Sequence, residues 1–319
     1  MAFQYLTNIP LDQAQADYRA FLAERGFGPA AETVPVQDSC GRVTAGPVYA
    51  HICAPHYPAS AMDGIALAAK VTFGASETTP VTLTEEDFTV VDTGDPVPEG
   101  CDAVVMVEDV IRQEDGTVRL YAPAAPWQHI RQIGEDICAG EMLLASHVTI
   151  SPAAIGAMLA AGVLEVPVLR RAVVGIIPTG DEIVPPTADP RPGDIVEFNS
   201  SIFSAMLTQW GAVPRTFPIV PDQKEAILAA VREALDSCDI VLLNAGSSAG
   251  REDWSAAVIR EVGEVLYHGI AIKPGKPAIL GAQGKKPILG VPGYPVSGIL
   301  VLTELLRPLL DDWYRTAPQ

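Results

Sequence analysis

From Arg171 onward the sequence repeats one rhythm, strand, loop, helix, and this restricts the fold more than any other feature. AVVGIIPTG is a near-continuous apolar run, as expected for a strand buried on both faces. NSSIFSAMLTQWG reads as a helix with an Asn or Ser cap and a terminal Gly211. VPRTFPIV, the amphipathic DQKEAILAAVREALDS, the strand DIVLLNAG and a helix around EDWSAAVIREVG continue the series. Strands alternating with helices of this length predict a mostly parallel, doubly wound sheet. Ligands on such sheets sit at the carboxyl ends of the strands, so the loops PTGDEIV and NAGSSAGRED are the first places to look for chemistry.

The first half of the chain reads differently. Pro10 to Gly26 predicts a helix with Leu11, Ala14, Tyr18, Phe21 and Leu22 on one face. From Thr33 to about Arg131 the pattern becomes short β-prone runs broken by Gly, Pro and Asp, the signature of a small all-β module. Ser151-Pro152 then opens a second helix, with Ser as N-cap, Pro at the first helical position and Gly162 beyond the end. The expected division is a helical N-terminal domain (1–50 and 133–170), an inserted β domain (51–132) and a doubly wound α/β domain (171–319).

A formal net charge of -18 makes nucleic acid and anionic membrane poor partners, since either needs a broad basic surface. The five scattered cysteines, odd in number and without a CxxC pair, fit a reducing cytoplasm rather than a disulfide framework. Neither a signal peptide nor a transmembrane run is expected. His51, Cys53 and His56 share a loop without a partner set, which is weak evidence for a metal site.

Against this acidic background, four of the six lysines fall between Ala271 and Ser297. Glycine and proline at close intervals make the stretch a series of tight turns suited to a small anion such as phosphate or an oxyanion. Lys285-Lys286 read as a solvated hairpin tip, whereas Lys273 and Lys276, each followed by Pro, read as functional. In NAGSSAGRED, small residues leave backbone N–H groups free to face an anion at a helix start. Asp181, Glu182 and Asp253 come from two such loops, and converging carboxylates there suit Mg²⁺.

Taken together and in order, SAMDG, TGDxxPxGxDAVV, RxxGED, PTGDEIV, KPGKP and GxPGxPVS resemble the molybdopterin molybdenumtransferase family, also called the MoeA or gephyrin E-domain family. The resemblance implies a transferase of molybdenum cofactor biosynthesis that reacts adenylylated molybdopterin with molybdate in a divalent-cation-dependent step, releasing AMP. It also implies a cytoplasmic homodimer and a MogA-like doubly wound domain that binds molybdopterin. Carried over by motif, Glu182, Asp253, Lys273 and Lys276 would be catalytic, with Glu182 and Asp253 holding Mg²⁺. Asp63, Thr93, Arg131 and Asp136 would reach the site from the β module, in the other protomer. Asp222 would be a further acidic, substrate-binding position; Pro292, Pro295 and Ser297, with Lys273 and Lys276, would line the substrate and molybdate pocket, and Gly246, Ser247, Ser248 and Gly250 would hold the phosphate end of the pterin.

Four departures accompany the resemblance. The family's usual final β domain does not follow the helix before Gln319. GSSAGRED, with Arg251 and Glu252, replaces the usual glycine-rich loop. Gly269, beside His268, stands where lysine is common. Tyr294 and Ile65 replace Asn and an aromatic. The alternative reading is a non-catalytic or weakly catalytic molybdopterin- or molybdate-binding module of a longer fusion or sensor.

Overall fold

The computed structural model describes residues 8–245 and 254–315. At its centre is a six-stranded sheet built from β1 (Val173–Pro178), β2 (Val213–Thr216), β3 (Ile240–Ala245), β4 (Glu264–His268), β5 (Ile279–Gln283) and β6 (Lys286–Pro292), in the order β2-β1-β3-β6-β5-β4. The first four strands in that order are parallel, and β5 and β4 close one edge antiparallel. The apolar runs alternate between two cores. Val174, Ile176 and Leu242 face one side, and Ile177, Val241 and Leu243 face the other. Burial on both sides is why these strands carry no polar alternation.

There are seven α-helices among the described residues: α1 (Leu11–Glu24), α2 (Pro152–Ala160), α3 (Asn199–Gln209), α4 (Lys224–Ser237), α5 (Ser255–Val262), α6 (Pro295–Val301) and α7 (Arg307–Tyr314). Helices α4 and α5 cover one face of the sheet through Ile227, Val231, Val258 and Ile259. On the other face lie α3, α6 and α7, and α1 with them. The packing of α1 departs from the expected division, which grouped it with α2. Its buried stripe, Ala14, Tyr18 and Leu22, enters the core of the sheet instead. Tyr18 donates to the Gly281 carbonyl at 2.6 Å and Tyr267 donates to Asp17 at 2.6 Å. Pro308 has no N–H to offer the carbonyl of Glu304, a π turn (Leu302–Leu306) links α6 to α7, and Gln15 Nε2 donates to that carbonyl at 2.7 Å.

A second core forms where the strand Ala31–Pro35 pairs antiparallel with Glu165–Leu169 and α2 packs alongside through Met158. The cap of α2 is as the sequence predicts, with Ser151 Oγ accepting from the Ala154 N–H at 3.2 Å and Pro152 at the start.

The β module has two three-stranded antiparallel sheets, one centred on Gly64–Leu67 between Phe88–Val91 and Ala103–Met106, the other on Val118–Leu120. Ile65 belongs to its core. Gly64 is required by close approach, because a Cβ there would lie 2.0 Å from the Val105 carbonyl oxygen. Gly64→Ala must therefore push its strand away from the neighbouring one. The expected loss of stability is about 1–3 kcal/mol, read from denaturant unfolding; an unchanged midpoint would contradict this packing.

One lysine expected in solvent is not there. Gly284, at positive φ, turns the β5–β6 hairpin, and Lys285 is exposed. Lys286 is half-buried and its Nζ donates to the Leu235 carbonyl in the last turn of α4. A cation at that end satisfies a carbonyl with no helical partner and complements the helix dipole.

Candidate active site

β2 lies on one side of β1 and β3 on the other, so the chain reverses direction across the sheet between β1 and β3. A crevice opens at the carboxyl ends of strands at such a switch point. Here a cavity of about 650 Å³ occupies it, lined by Thr179 after β1, Asn244 and Ala245 at the end of β3, and Pro292 at the end of β6.

Two further segments wall the cavity. One is a flap in which Ile183–Val184 and Ile195–Val196 pair in parallel, with the Ile195 N–H donating to the Glu182 carbonyl at 2.8 Å. This brings Glu182 and Glu197 to the lining. The other is the PGYPVS turn, which contributes Pro292, Tyr294, Pro295 and the buried Ser297. Tyr294 is 70% exposed, so its ring stands at the mouth.

Glu197 also corrects the expected cap of α3. Its Oε1 accepts from the Ser200 N–H at 2.9 Å, while Asn199 turns away to donate Nδ2 to the Gly293 carbonyl at 2.8 Å. From the sequence Asn199 reads only as a helix cap, and Asn244 only as the end of a strand. Asn199 and Asn244 are each 6% exposed, and each has an Oδ1 without a hydrogen-bond partner among the described residues. A buried amide oxygen left unpaired costs about 1–3 kcal/mol, which a ligand donor or a cation would recover. The available signal was position: a lone polar residue ending the apolar run VLLN at a strand's carboxyl end.

The KPGKP turn sits beside this cavity. Pro277 is part of the lining, whereas Lys273 and Lys276 are exposed and their side chains lie outside it. Lys276 is fixed through its carbonyl, which accepts from the Ile270 N–H at 2.9 Å. Gly275, at φ +117°, seats the turn on α6. A Cβ there would fall 3.2 Å from Val301 Cγ2 and 3.6 Å from the Ser297 carbonyl.

The acidic residues separate. Glu182 lines the cavity, while Asp181 accepts from the Asp222 N–H at 3.1 Å on the other side of the flap. Asp253 and the loop residues Gly246, Ser247, Ser248 and Gly250 lie outside the described residues, as do Arg251 and Glu252.

The β-module candidates form a group of their own. Strand Ala59–Ser60 pairs with Ile130–Arg131, which sets Arg131 near the SAMDG turn. Asp63 accepts from both the N–H and the hydroxyl of Thr93, at 2.6 and 2.7 Å, and these bonds hold its carboxyl below the usual range. Arg131 donates to Asp136 at 2.5 Å and to Glu135 at 3.4 Å. None of the four is in the lining of the cavity among the described residues. His51, Cys53 and His56 have separate contacts: His51 Nδ1 lies 3.2 Å from the Gly162 carbonyl, Cys53 accepts from the Ala139 N–H at 3.3 Å, and His56 packs on the edge of Tyr57.

A doubly wound sheet with a walled crevice at its switch point, joined to a β module carrying SAMDG and TGD, defines a multidomain protein that handles small molecules. Residues 9–162 match the MoeA N-terminal region (domain I and II), and residues 175–312 match a probable molybdopterin binding domain. The chain is 31% identical to the molybdopterin molybdenumtransferase of Haemophilus influenzae, over 95% of this chain and 77% of that protein. It is 32% identical to molybdopterin molybdenumtransferase 2 of Mycobacterium tuberculosis, over 87% and 74%. A solved molybdopterin biosynthesis MoeA protein from Pyrococcus horikoshii superposes with a TM-score of 0.82 at 32% identity, covering 98% of this chain and 81% of that one. The chain belongs to the molybdopterin molybdenumtransferase family. No helix among the described residues is long and apolar enough to cross a membrane.

Proposed function

We propose that this chain acts in molybdenum cofactor biosynthesis, inserting molybdate into adenylylated molybdopterin in a Mg²⁺-dependent step that releases AMP. The observation that carries the reading is the switch-point cavity, where the strand ends of the molybdopterin-binding domain meet Glu182, PGYPVS and the KPGKP turn. Its donor set fits a hard divalent cation. Glu182 and Glu197 supply carboxylates, and Asn199 and Asn244 supply amide oxygens that lack partners among the described residues. In this reading Glu182 holds Mg²⁺ together with Asp253, and the ion, when bound, neutralises phosphoryl oxygen charge.

The chain's own residues do the rest. Lys273 and Lys276, on a turn fixed against α6, neutralise molybdate and the pyrophosphate link. Pro292, Pro295 and Ser297 shape the floor, and Asp222 braces the outer side of the flap through Asp181. The loop with Gly246, Ser247, Ser248 and Gly250 takes the phosphate end of the pterin. Asp63, Thr93, Arg131 and Asp136 complete the cavity of the other protomer in a cytoplasmic homodimer. The division into 1–50 with 133–170, 51–132 and 171–319 belongs to the same reading, with α1 docked on the last of these units.

The test is incubation of purified protein with adenylylated molybdopterin, Mg²⁺ and molybdate, with AMP measured. Molybdate-dependent AMP release is expected, and Lys276→Ala is expected to abolish it while leaving the fold intact. Binding of the adenylylated substrate without AMP release would instead favour a non-catalytic module.

A further inference from the structure

A second cavity, of about 640 Å³, opens at the other end of the sheet. Arg171 precedes β1, Arg315 follows α7, and Arg307 and Arg42 complete its cationic wall; among the described residues His147 and one carboxylate, Asp311, also line it. The six residues of β1 separate this end from the switch-point cavity, a span of about 20 Å.

Four arginines in the lining of one cavity are unexpected in a chain of net charge -18. Neighbouring arginines are paired with an acid: Arg170 is held bidentate by Asp239, and Arg19 by Asp312. Within the cavity Arg42 is neutralised by Glu32 and donates to the Leu169 carbonyl at 3.0 Å, with 10% of its side chain exposed. Arg171, Arg307 and Arg315 form no ion pair among the described residues. Setting Asp311 against Arg307 still leaves Arg171 and Arg315 without an acidic partner among the described residues. Arg307 lies over the Trp210 ring, its guanidinium carbon 5.6 Å from the centroid. The wall behind is rigid, since Tyr314 donates to the Gly211 carbonyl at 2.7 Å and accepts from the Ala172 N–H at 3.3 Å.

We propose that this arginine-lined cavity is a binding site for a small polyanion bearing at least two negative charges in a phosphate group. Guanidinium forks match phosphate oxygens in geometry as well as charge, and an anion of this kind removes the mutual repulsion of the arginines. The site is independent of the reading of the switch-point cavity, because it shares no lining residue with it.

The probe is inorganic pyrophosphate, titrated calorimetrically into the purified chain at low salt without Mg²⁺. Binding is expected, weakening as salt rises, with quenching of a fluorescence signal that Trp210→Phe removes. The double variant Arg171→Gln/Arg315→Gln is expected to bind at least tenfold more weakly. Both side chains are exposed, so its melting temperature should match the wild type. In a Lys273→Gln/Lys276→Gln background, which removes any pyrophosphate held at the switch-point cavity, the arginine double variant should still bind at least tenfold more weakly. Absence of binding by the wild type, or a loss confined to the lysine variant, overturns the proposal. A parallel titration with ADP separates two sources of the phosphate: equal affinity means the phosphates alone are held, and tighter binding of ADP means the site also takes the nucleoside. Either outcome supports the proposal.

Discussion

Glu182→Gln is expected to lower molybdate-dependent AMP release by about a hundredfold or more while the protein stays folded. The substitution keeps the size and one oxygen of the side chain and removes its charge. Glu182 is exposed, and its backbone, not its carboxylate, holds the flap through the Ile195 N–H. Stability therefore has little reason to change, and the thermal midpoint should stay close to that of the wild type. Turnover needs the charge if Glu182 neutralises phosphoryl oxygens through a bound cation. Raising Mg²⁺ should recover some of the lost rate in the variant, because a weakened site fills at higher concentration. Steady-state rates across a Mg²⁺ series provide the check. A variant within a few-fold of wild type at every concentration would remove Glu182 from the chemistry.

The location of the switch-point cavity was legible in the sequence because two of its determinants are local. A strand buried on both faces must read as an unbroken apolar run, so AVVGIIP and DIVLLN declare themselves, and the loops after them follow. The motifs PTGDEIV, KPGKP and PGYPVS then mark three segments that the fold brings side by side.

What stayed hidden depends on partners far away in the chain. Nothing around Lys286 announces that Leu235 presents a carbonyl to it, so two adjacent lysines read alike although one is a tip and the other a helix cap. Asn199 reads as a cap because Asn favours that role, and only the fold shows Glu197 capping α3 and Asn199 donating to Gly293. The arginine cavity is the extreme case, with residues drawn from five separated segments that carry no common motif.

The placement of α1 is the most testable of these non-local features. Tyr18→Ala is expected to destabilise the doubly wound core by about 3–5 kcal/mol, the range for emptying a large buried aromatic site. Tyr18 is 1% exposed and sits among the residues of the core on the α1 face of the sheet. Its hydroxyl donates to the Gly281 carbonyl on β5, so truncation also strips a buried acceptor of its partner. Tyr18→Phe isolates that second loss and should cost about 1–3 kcal/mol, leaving the rest to packing. The readout that identifies the partner is hydrogen exchange. If α1 belongs to the sheet's core, Tyr18→Ala raises exchange in β5 and β6 together with α1, while amides of the Ala31–Pro35 and Glu165–Leu169 pair keep their protection. Exchange that rises in that pair and leaves β5 unchanged would return α1 to the unit containing α2, the grouping that its sequence position suggests.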